Sequence, residues 1–306
     1  MKTKIILFGC QEIAVNVIDY LLSLDFIDLP LILTYELPLD KTYGYKSVLE
    51  KFIKRGLNVI MPKMITPEVI QTIIDIQPDL ILSVYYRKIL PKKIIDIPKI
   101  GCVNIHPGKL PYYRGPVPTA WAIQKGENIF GITIHNVDEG VDTGDILVQN
   151  EYPIEDDDTG YSLYTRAMTL GAEMIKENLD DIIAQKITPV PQKGIGSYYG
   201  KINGKQMINW KQKSEDIRNL IRVHAKPYSP AETILYNHYV LINKARVIRD
   251  EKYPAQGAGK IVDILDNEKI VVSCAEGCLL LEEYEIVPQL RDEHRPIYLK
   301  IGNKFD

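Results

Sequence analysis

Three polar residues in the middle of the chain, Asn104, His106 and Asp142, have types and spacing that suit chemistry on a carbonyl group. Asn104 and His106 end an apolar run, and side chains two residues apart in a strand point to the same face. An amide donor beside an imidazole can stabilise an oxyanion, and the imidazole can take up the proton of an attacking amine. Asp142 lies between two glycines, in a loop that can turn its carboxylate toward His106. The plainer interpretation of Asn-x-His alone is a capping histidine beside an unrelated asparagine.

The elements that must position these residues alternate between strands and helices. Apolar runs predict buried strands, amphipathic spacing predicts helices between them, and the alternation predicts a Rossmann-like, mostly parallel sheet with helices on both faces. Ligands bind outside the carboxyl ends of the strands in such a sheet, where Asn104 and His106 lie. The predicted strands are 5–8, 30–34, 57–61, 79–85, 101–106, 130–137 and 145–151, and the predicted helices are 11–24, 46–55, 67–77 and 159–185.

The remainder of the chain has a different pattern. Residues 189–204 are polar and dotted with glycine and proline, which predicts a linker after a catalytic domain of residues 1–188. Short strands separated by turns follow in residues 205–306, and they predict a small C-terminal β-barrel of OB-like type. The predicted elements there are a helix at 214–223 and strands at 239–247, 259–265, 269–274 and 278–287.

Composition bounds the class of protein. The chain has 306 residues, of which 45% are hydrophobic and 25% charged, with a formal net charge of -3 and a pI near 6.0. This balance gives no reason to expect a nucleic acid as partner. Four cysteines do not suggest a disulfide scaffold. No segment is as long as the ~20 apolar residues that span a bilayer, and the N-terminal apolar run is too short for a signal peptide, so we expect a cytoplasmic protein.

Other functional interpretations have less support. The turn after the first strand, which contains Gly9, lacks the G-x-G-x-x-G spacing of a dinucleotide site. Cys274 and Cys278 have no second pair, and the acidic run 155–158 suits a helix start, so no metal is expected. His135 lies inside an apolar strand and is interpreted as a satisfied core histidine. His224, His238 and His294 form no recognisable pattern.

Five ordered blocks carry a family resemblance. The chain resembles the folate-dependent formyltransferases, a family that includes methionyl-tRNA formyltransferase, glycinamide ribonucleotide transformylase and the sugar N-formyltransferases. The resemblance implies 10-formyltetrahydrofolate as formyl donor, direct amine attack through a tetrahedral intermediate, no metal, and Asn104, His106 and Asp142 as the catalytic residues. The blocks are Asn104-Ile105-His106-Pro107, Leu110-Pro111-Tyr112-Tyr113-Arg114-Gly115, Trp121-Ala122-Ile123, Gly131-Ile132-Thr133-Ile134-His135 and Gly140-Val141-Asp142-Thr143-Gly144-Asp145.

The same resemblance implies two sets of binding residues. Residues 83–90 and 137–142 would form the folate pocket, although plain packing is an equal alternative for any one apolar side chain there. The turn at Gly9 and several tyrosines would border the acceptor. The implied folate-binding residues are Tyr86, Arg87, Ile89, Leu90, Val137, Asp138 and Gly140, and the implied acceptor-binding residues are Gly9, Tyr112, Arg114, Tyr198 and Tyr199.

The identity of the acceptor amine depends on finer resemblances. Residues 84–87, 197–201, 208–210 and 221–231 are similar to the sugar-modifying members, whereas the loop 35–44 lacks the basic insertion of the tRNA-type members. We therefore expect a nucleotide-linked amino sugar (dTDP-, UDP- or GDP-linked) as acceptor, as in lipopolysaccharide O-antigen biosynthesis, and a homodimer. The alternatives are methionyl-tRNA as acceptor, and a non-catalytic folate- or RNA-binding protein on the same fold.

Overall fold

The computed structural model describes residues 2–36, 42–202, 204–250, 252–253, 256–265, 268–288 and 299–306. The chain divides into two compact units. The N-terminal unit comprises Met1–Pro118, Phe130–Tyr152 and Thr165–Lys201, and the C-terminal unit comprises Thr119–Ile129, Pro153–Tyr164 and Ile202–Asp306. Residues 119–129 and 153–164 of the predicted catalytic domain thus group with the C-terminal unit, and the predicted domain boundary at 188 stays a prediction.

A seven-stranded sheet forms the centre of the N-terminal unit. Its strands are β1 (Thr3–Gly9), β2 (Ile27–Leu33), β3 (Val59–Ile60), β4 (Leu80–Val84), β5 (Gly101–His106), β6 (Ile129–Asn136) and β7 (Ile146–Pro153). Their order in the sheet is β3-β2-β1-β4-β5-β6-β7, with parallel pairing from β3 through β5 and antiparallel pairing of β5 with β6. This confirms the predicted mostly parallel sheet.

Helices connect these strands. Thr66 accepts a hydrogen bond from the backbone N–H of Val69, and Pro67 follows at the first helical position, so the local sequence starts the helix there. The two short helices at Lys92–Ile95 and Pro118–Gln124 were not predicted. The helices are α1 (Gln11–Leu22), α2 (Val48–Phe52), α3 (Pro67–Ile76), α4 (Lys92–Ile95), α5 (Pro118–Gln124), α6 (Gly160–Ile183) and, further along the chain, α7 (Ser214–Val223).

Strand β1 is apolar on both faces because both faces are covered. Ile5, Ile6, Leu7 and Phe8 are all fully buried, as a central strand of a parallel sheet requires. The strand ends at Gly9, where a β-carbon would lie 2.8 Å from the Cβ atom of Ala14 in α1. This close approach of strand and helix explains a glycine at that position.

A separate antiparallel sheet lies in the C-terminal unit, which confirms that part of the predicted fold class. Its strands are β8 (Ala231–Leu235), β9 (His238–Ile248), β10 (Ile261–Ile264), β11 (Ile270–Ser273) and β12 (Cys278–Val287). Their order in the sheet is β10-β11-β12-β9-β8, and the sheet packs around Trp210, whose ring stacks on Phe305 at 5.5 Å between centroids. The strand at 231–235 was not predicted. Of the helices that the structure describes, none is long and apolar enough to cross a membrane.

Candidate active site

The structure brings the three predicted catalytic side chains together at the carboxyl end of β5. Asn104 and His106 lie on β5, where they pair in register with His135 and Thr133 of β6. The loop after β6 returns Asp142, and its Oδ2 atom lies 3.5 Å from Nδ1 of His106. An imidazole, an amide and a carboxylate therefore share one site within the N-terminal unit.

His106 is buried, and both of its ring nitrogens face acceptors. Nε2 lies 2.8 Å from the carbonyl oxygen of Tyr113, while Nδ1 faces Asp142. The shorter contact indicates that a neutral His106 carries its proton on Nε2, which leaves Nδ1 to take up a second one. Burial lowers the pKa of His106; Asp142 and the Tyr113 carbonyl raise it, and His135 lowers it further. The ring is thus neutral near pH 7 and surrounded by groups that would stabilise its charged form.

Asp142 favours its charged form, whereas His106 favours its neutral form. Burial raises the pKa of Asp142, but His106, His135 and the backbone N–H of Gly115 together hold it well below its usual range. The Gly115 N–H donates to Oδ2 at 2.9 Å. Gly115 has a φ of 91°, and a β-carbon there would lie 2.5 Å from the carbonyl oxygen of Tyr199, so the turn that supplies this N–H requires glycine. Asp142 is therefore an ionised carboxylate beside a neutral imidazole.

His135 belongs to the same cluster of side chains as Asn104, His106 and Asp142. The sequence analysis did not place it there. Its Nε2 atom lies 3.1 Å from Nδ2 of Asn104 and 3.7 Å from Oδ1 of Asp142, and its Nδ1 lies 2.7 Å from the carbonyl oxygen of Asn136. The residue is a buried, satisfied histidine as predicted, but Asn104 is one of the groups that satisfy it. The signal was present, because Thr133 and His135 repeat on β6 the two-residue spacing of Asn104 and His106.

The two segments implied to bind folate contribute to one apolar cluster. Leu90 is buried in it, and Tyr86 and Val137 pack against it. The ring of Tyr86 lies edge-on to Phe8 at 5.2 Å, and burial, followed by Cys10 and Tyr35, raises the pKa of Tyr86 to about 12.

The other implied folate residues lie at the surface. The side chain of Ile89 is 70% exposed, and Arg87 is also exposed. Asp138 accepts hydrogen bonds from the N–H of Gly140 (3.0 Å) and from the hydroxyl of Thr143 (2.6 Å), so it organises its own loop.

The implied acceptor residues are of two kinds. Tyr112 and Tyr198 are exposed, at 54% and 61%. Tyr199 stacks on Tyr113 at 5.3 Å between ring centroids, and Arg114 exchanges backbone hydrogen bonds with the 197–199 segment. Gly9 has the packing role described above. Part of the segment predicted to be a linker thus makes specific contacts with residues 111–115.

Some of the predictions concern residues without a described structure. Residues 37–41, which include Asp40 and Lys41 of the loop 35–44, lie outside the described residues, and so does His294. Among the described residues, no group of three or more histidine, cysteine, aspartate or glutamate side chains is arranged to hold a metal ion. In the acidic run, Asp158 accepts hydrogen bonds from the N–H of Glu155 and the hydroxyl of Ser162 near the start of α6.

Comparison with known proteins places these features in a family. Residues 49–179 match the family model described as formyl transferase, and residues 202–288 match the formyl transferase C-terminal domain. The chain is 31% identical to the methionyl-tRNA formyltransferase of Ruminiclostridium cellulolyticum over 99% of this chain and 97% of that protein. It is 36% identical to the methionyl-tRNA formyltransferase of Geobacter metallireducens over 76% and 74% of the two chains.

Similar solved structures share the fold. An N-formyltransferase from Helicobacter canadensis, in complex with folinic acid and dTDP-3-aminofucose, has a TM-score of 0.73 and 24% identity, covering 91% of this chain and 98% of that one. The sugar 3N-formyl transferase WlaRD has a TM-score of 0.71 and 24% identity, covering 95% and 100%. The two matching family models and the full-length relative show that the chain belongs to the formyl transferase family, and it is a folate-dependent formyltransferase with 10-formyltetrahydrofolate as formyl donor.

Proposed function

We propose that this chain transfers the formyl group to a primary amine at the cluster of Asn104, His106 and Asp142. The observation that carries the proposal is the buried pair of His106 and the ionised Asp142, 3.5 Å apart at the carboxyl end of β5. A neutral imidazole beside a carboxylate is suited to accept a proton in a site that excludes water.

Each of the three side chains has one role in this reaction. The amine forms a bond to the formyl carbon as the bond from that carbon to the folate nitrogen breaks. One N–H of the Asn104 amide points to His135, and the second is a donor for the formyl oxygen, where negative charge develops. His106 takes up the proton that the amine loses, Asp142 stabilises the resulting imidazolium, and His106 returns the proton to the folate nitrogen.

The folate-binding residues fit a planar heterocycle that has apolar faces and a polar edge. Tyr86, Leu90 and Val137 contribute to one apolar cluster, and Ile89, which precedes Leu90 in the chain, is exposed. The hydroxyl of Tyr86 is buried and has no hydrogen-bond partner within the described part of the chain. A buried polar group without a partner costs free energy, so it is well placed to bond a ligand. We assign Arg87, Asp138 and Gly140 to the rim of this pocket.

Methionyl-tRNA is the first candidate acceptor, which was the alternative in the sequence analysis. The support for it is the relative from Ruminiclostridium cellulolyticum, which is similar over almost the whole of both chains. The curated relatives support this acceptor better than the nucleotide-linked amino sugar that the sequence analysis preferred.

A nucleotide-linked amino sugar is the second candidate, and specific features of this chain favour it. Tyr112 and Tyr198 offer exposed rings on which a base can stack, and Arg114 pairs with Tyr198 through an isolated backbone bridge. Residues 202–306 carry 16 lysines and arginines against 15 aspartates and glutamates, so this part of the chain has almost no net positive charge for a polyanion. A homodimer, a cytoplasmic location and a role in lipopolysaccharide synthesis stay predictions.

One assay tests both acceptors. The purified chain is incubated with 10-formyltetrahydrofolate and either methionyl-tRNA or a panel of dTDP-, UDP- and GDP-linked amino sugars, and products are identified by mass spectrometry. We expect formylated methionyl-tRNA from the native chain and about 100-fold less or lower from His106→Ala. Product from a sugar alone would overturn the first acceptor in favour of the second. Absence of product from every amine would overturn the proposed function and leave a folate-binding role.

A further inference from the structure

A glutamine that the sequence analysis did not single out, Gln192, bonds to the turn that carries Asp142. Its Nε2 group donates to the carbonyl oxygen of Asp142 at 2.9 Å and to that of Gly144 at 2.8 Å. Its Oε1 atom accepts from Nε of Arg114 at 3.2 Å and from Nη2 at 2.6 Å. An amide has two N–H donors and an oxygen with two lone pairs, so these four bonds use its full capacity.

The four partners determine which way the Gln192 amide points. The two carbonyl oxygens require donors, and the guanidinium of Arg114 requires an acceptor. A flipped amide would place its oxygen against both carbonyls and its N–H groups against the guanidinium. The orientation therefore follows from the partners.

The turn at Asp142 needs such support because its backbone is strained. Asp142 has a φ of 53°, in the left-handed region, which is unfavourable for a residue other than glycine. The bonds from Gln192 hold the carbonyl of this residue and the carbonyl two residues later. They fix the backbone from which the carboxylate reaches His106.

The link to Arg114 joins this turn to a second segment that serves the site. Arg114 stands between Tyr113, whose carbonyl contacts His106, and Gly115, whose N–H donates to Asp142. One side chain, Gln192, therefore connects the two stretches of backbone that hold the imidazole and the carboxylate.

We infer that Gln192 is a positioning residue, which holds the carboxylate of Asp142 against His106 by bonding the backbone of its turn. The inference rests on the proposed function, in which Asp142 stabilises the protonated His106. Gln192 contacts no reacting atom in this assignment, and its effect passes through the geometry of the turn.

Two substitutions distinguish the bonds made by the amide nitrogen of Gln192 from those made by its amide oxygen. Gln192→Met keeps the length of the side chain and removes all four bonds, whereas Gln192→Glu keeps an acceptor for Arg114 but sets a carboxylate against the two carbonyls. We expect both variants to lower kcat roughly 10- to 100-fold, as misplacement of a catalytic group does, with the KM for the formyl donor nearly unchanged. Normal turnover in Gln192→Glu would assign the effect to Arg114 instead and overturn the inference.

A second measurement needs no acceptor. Titration of His106 by ¹H–¹⁵N NMR reports its pKa, which Asp142 raises, while the Tyr113 carbonyl and His135 are the other groups that face the ring. In Gln192→Met the carboxylate recedes, so we expect a lower pKa of His106 than in the native chain.

The titration also distinguishes a failure of the proposed function from a failure of the positioning role of Gln192. If the native chain formylates no amine, the proposed function fails, but the titration still decides whether Gln192 positions Asp142. An unchanged pKa of His106 in Gln192→Met would overturn the positioning role. The control is Gln71→Met, because Gln71 is an exposed glutamine that bonds to Asp75, and we expect it to change neither kcat nor the titration.

Discussion

Asn104 and His135 face each other across β5 and β6, with Nδ2 of the asparagine 3.1 Å from Nε2 of the histidine. Because Nδ1 of His135 lies 2.7 Å from the carbonyl oxygen of Asn136, it carries the ring proton and leaves Nε2 as the acceptor. The histidine thereby determines the direction of the Asn104 amide. In the proposed reaction, that direction aims the second N–H at the formyl oxygen.

Loss of this acceptor should disorient Asn104. We expect His135→Phe, which keeps a ring of similar size, to lower kcat about 10- to 100-fold with little change in the KM for the formyl donor, since misplaced donors cost rate rather than ground-state binding. His135→Gln places an amide oxygen near the position of Nε2 and should recover part of the rate. Steady-state kinetics check both variants, and near-normal turnover in His135→Phe would mean that the ring has only a packing role.

The His106 and Asp142 side chains should each be required for turnover. We expect His106→Ala and Asp142→Asn to lower kcat by about 10²- to 10⁴-fold, the usual contribution of a general base and its partner. Circular dichroism should show an unchanged fold, because each substitution changes one side chain at the carboxyl end of β5 or in the loop after β6 and leaves the apolar residues of the sheet in place. Near-normal turnover in either variant would remove that residue from the catalytic centre.

The pH dependence of the reaction should report the neutral form of His106. Burial is the largest influence on His106 and lowers its pKa, so the acid limb of kcat/KM should lie below the ordinary histidine value of about 6.5. Asp142 raises the pKa of His106, so Asp142→Asn should move the residual acid limb to still lower pH. A limb above pH 7 in the native chain would contradict the neutral resting state.

The ionised Asp142 should also contribute to stability in a pH-dependent way. The folded protein holds the pKa of Asp142 below its unfolded value of about 3.9, so its contribution is present above that pH and is lost as the pH falls further. We expect the free energy of unfolding of the native chain to fall more steeply below about pH 4 than that of Asp142→Asn. Urea titrations of both proteins at pH 7 and pH 3 measure the free energy of unfolding. An equal loss of that free energy between the two pH values in both proteins would contradict the prediction.

The buried hydroxyl of Tyr86 gives a test of the folate pocket. It has no hydrogen-bond partner among the described residues, so Tyr86→Phe should not lower the free energy of unfolding. If the hydroxyl bonds the folate, the same substitution should weaken binding of 5-formyltetrahydrofolate roughly 5- to 20-fold, measured by calorimetry. Unchanged affinity would mean that the Tyr86 ring only packs against Phe8 and that its hydroxyl does not bind the folate.

The apolar runs of the sequence were sufficient to predict most of the sheet. Strand β5 and helix α7 begin and end where their periodicity indicates, because buried strands and amphipathic helices depend on local patterns. The short helix α4 was missed because four residues give too little periodicity. Strand β8 was missed because only its pairing with β9 distinguishes it from a turn.

The catalytic side chains could be named from their order in the chain, since the two-residue spacing of Asn104 and His106 already places both on one face of a strand. Their partners could not. His135 meets Asn104 only because β6 pairs antiparallel with β5 in that register, and Gln192 reaches Asp142 across 50 positions of sequence. The chemical types are local properties of the chain, whereas the bonds that orient them depend on strand pairing and loop return, which only the folded structure decides.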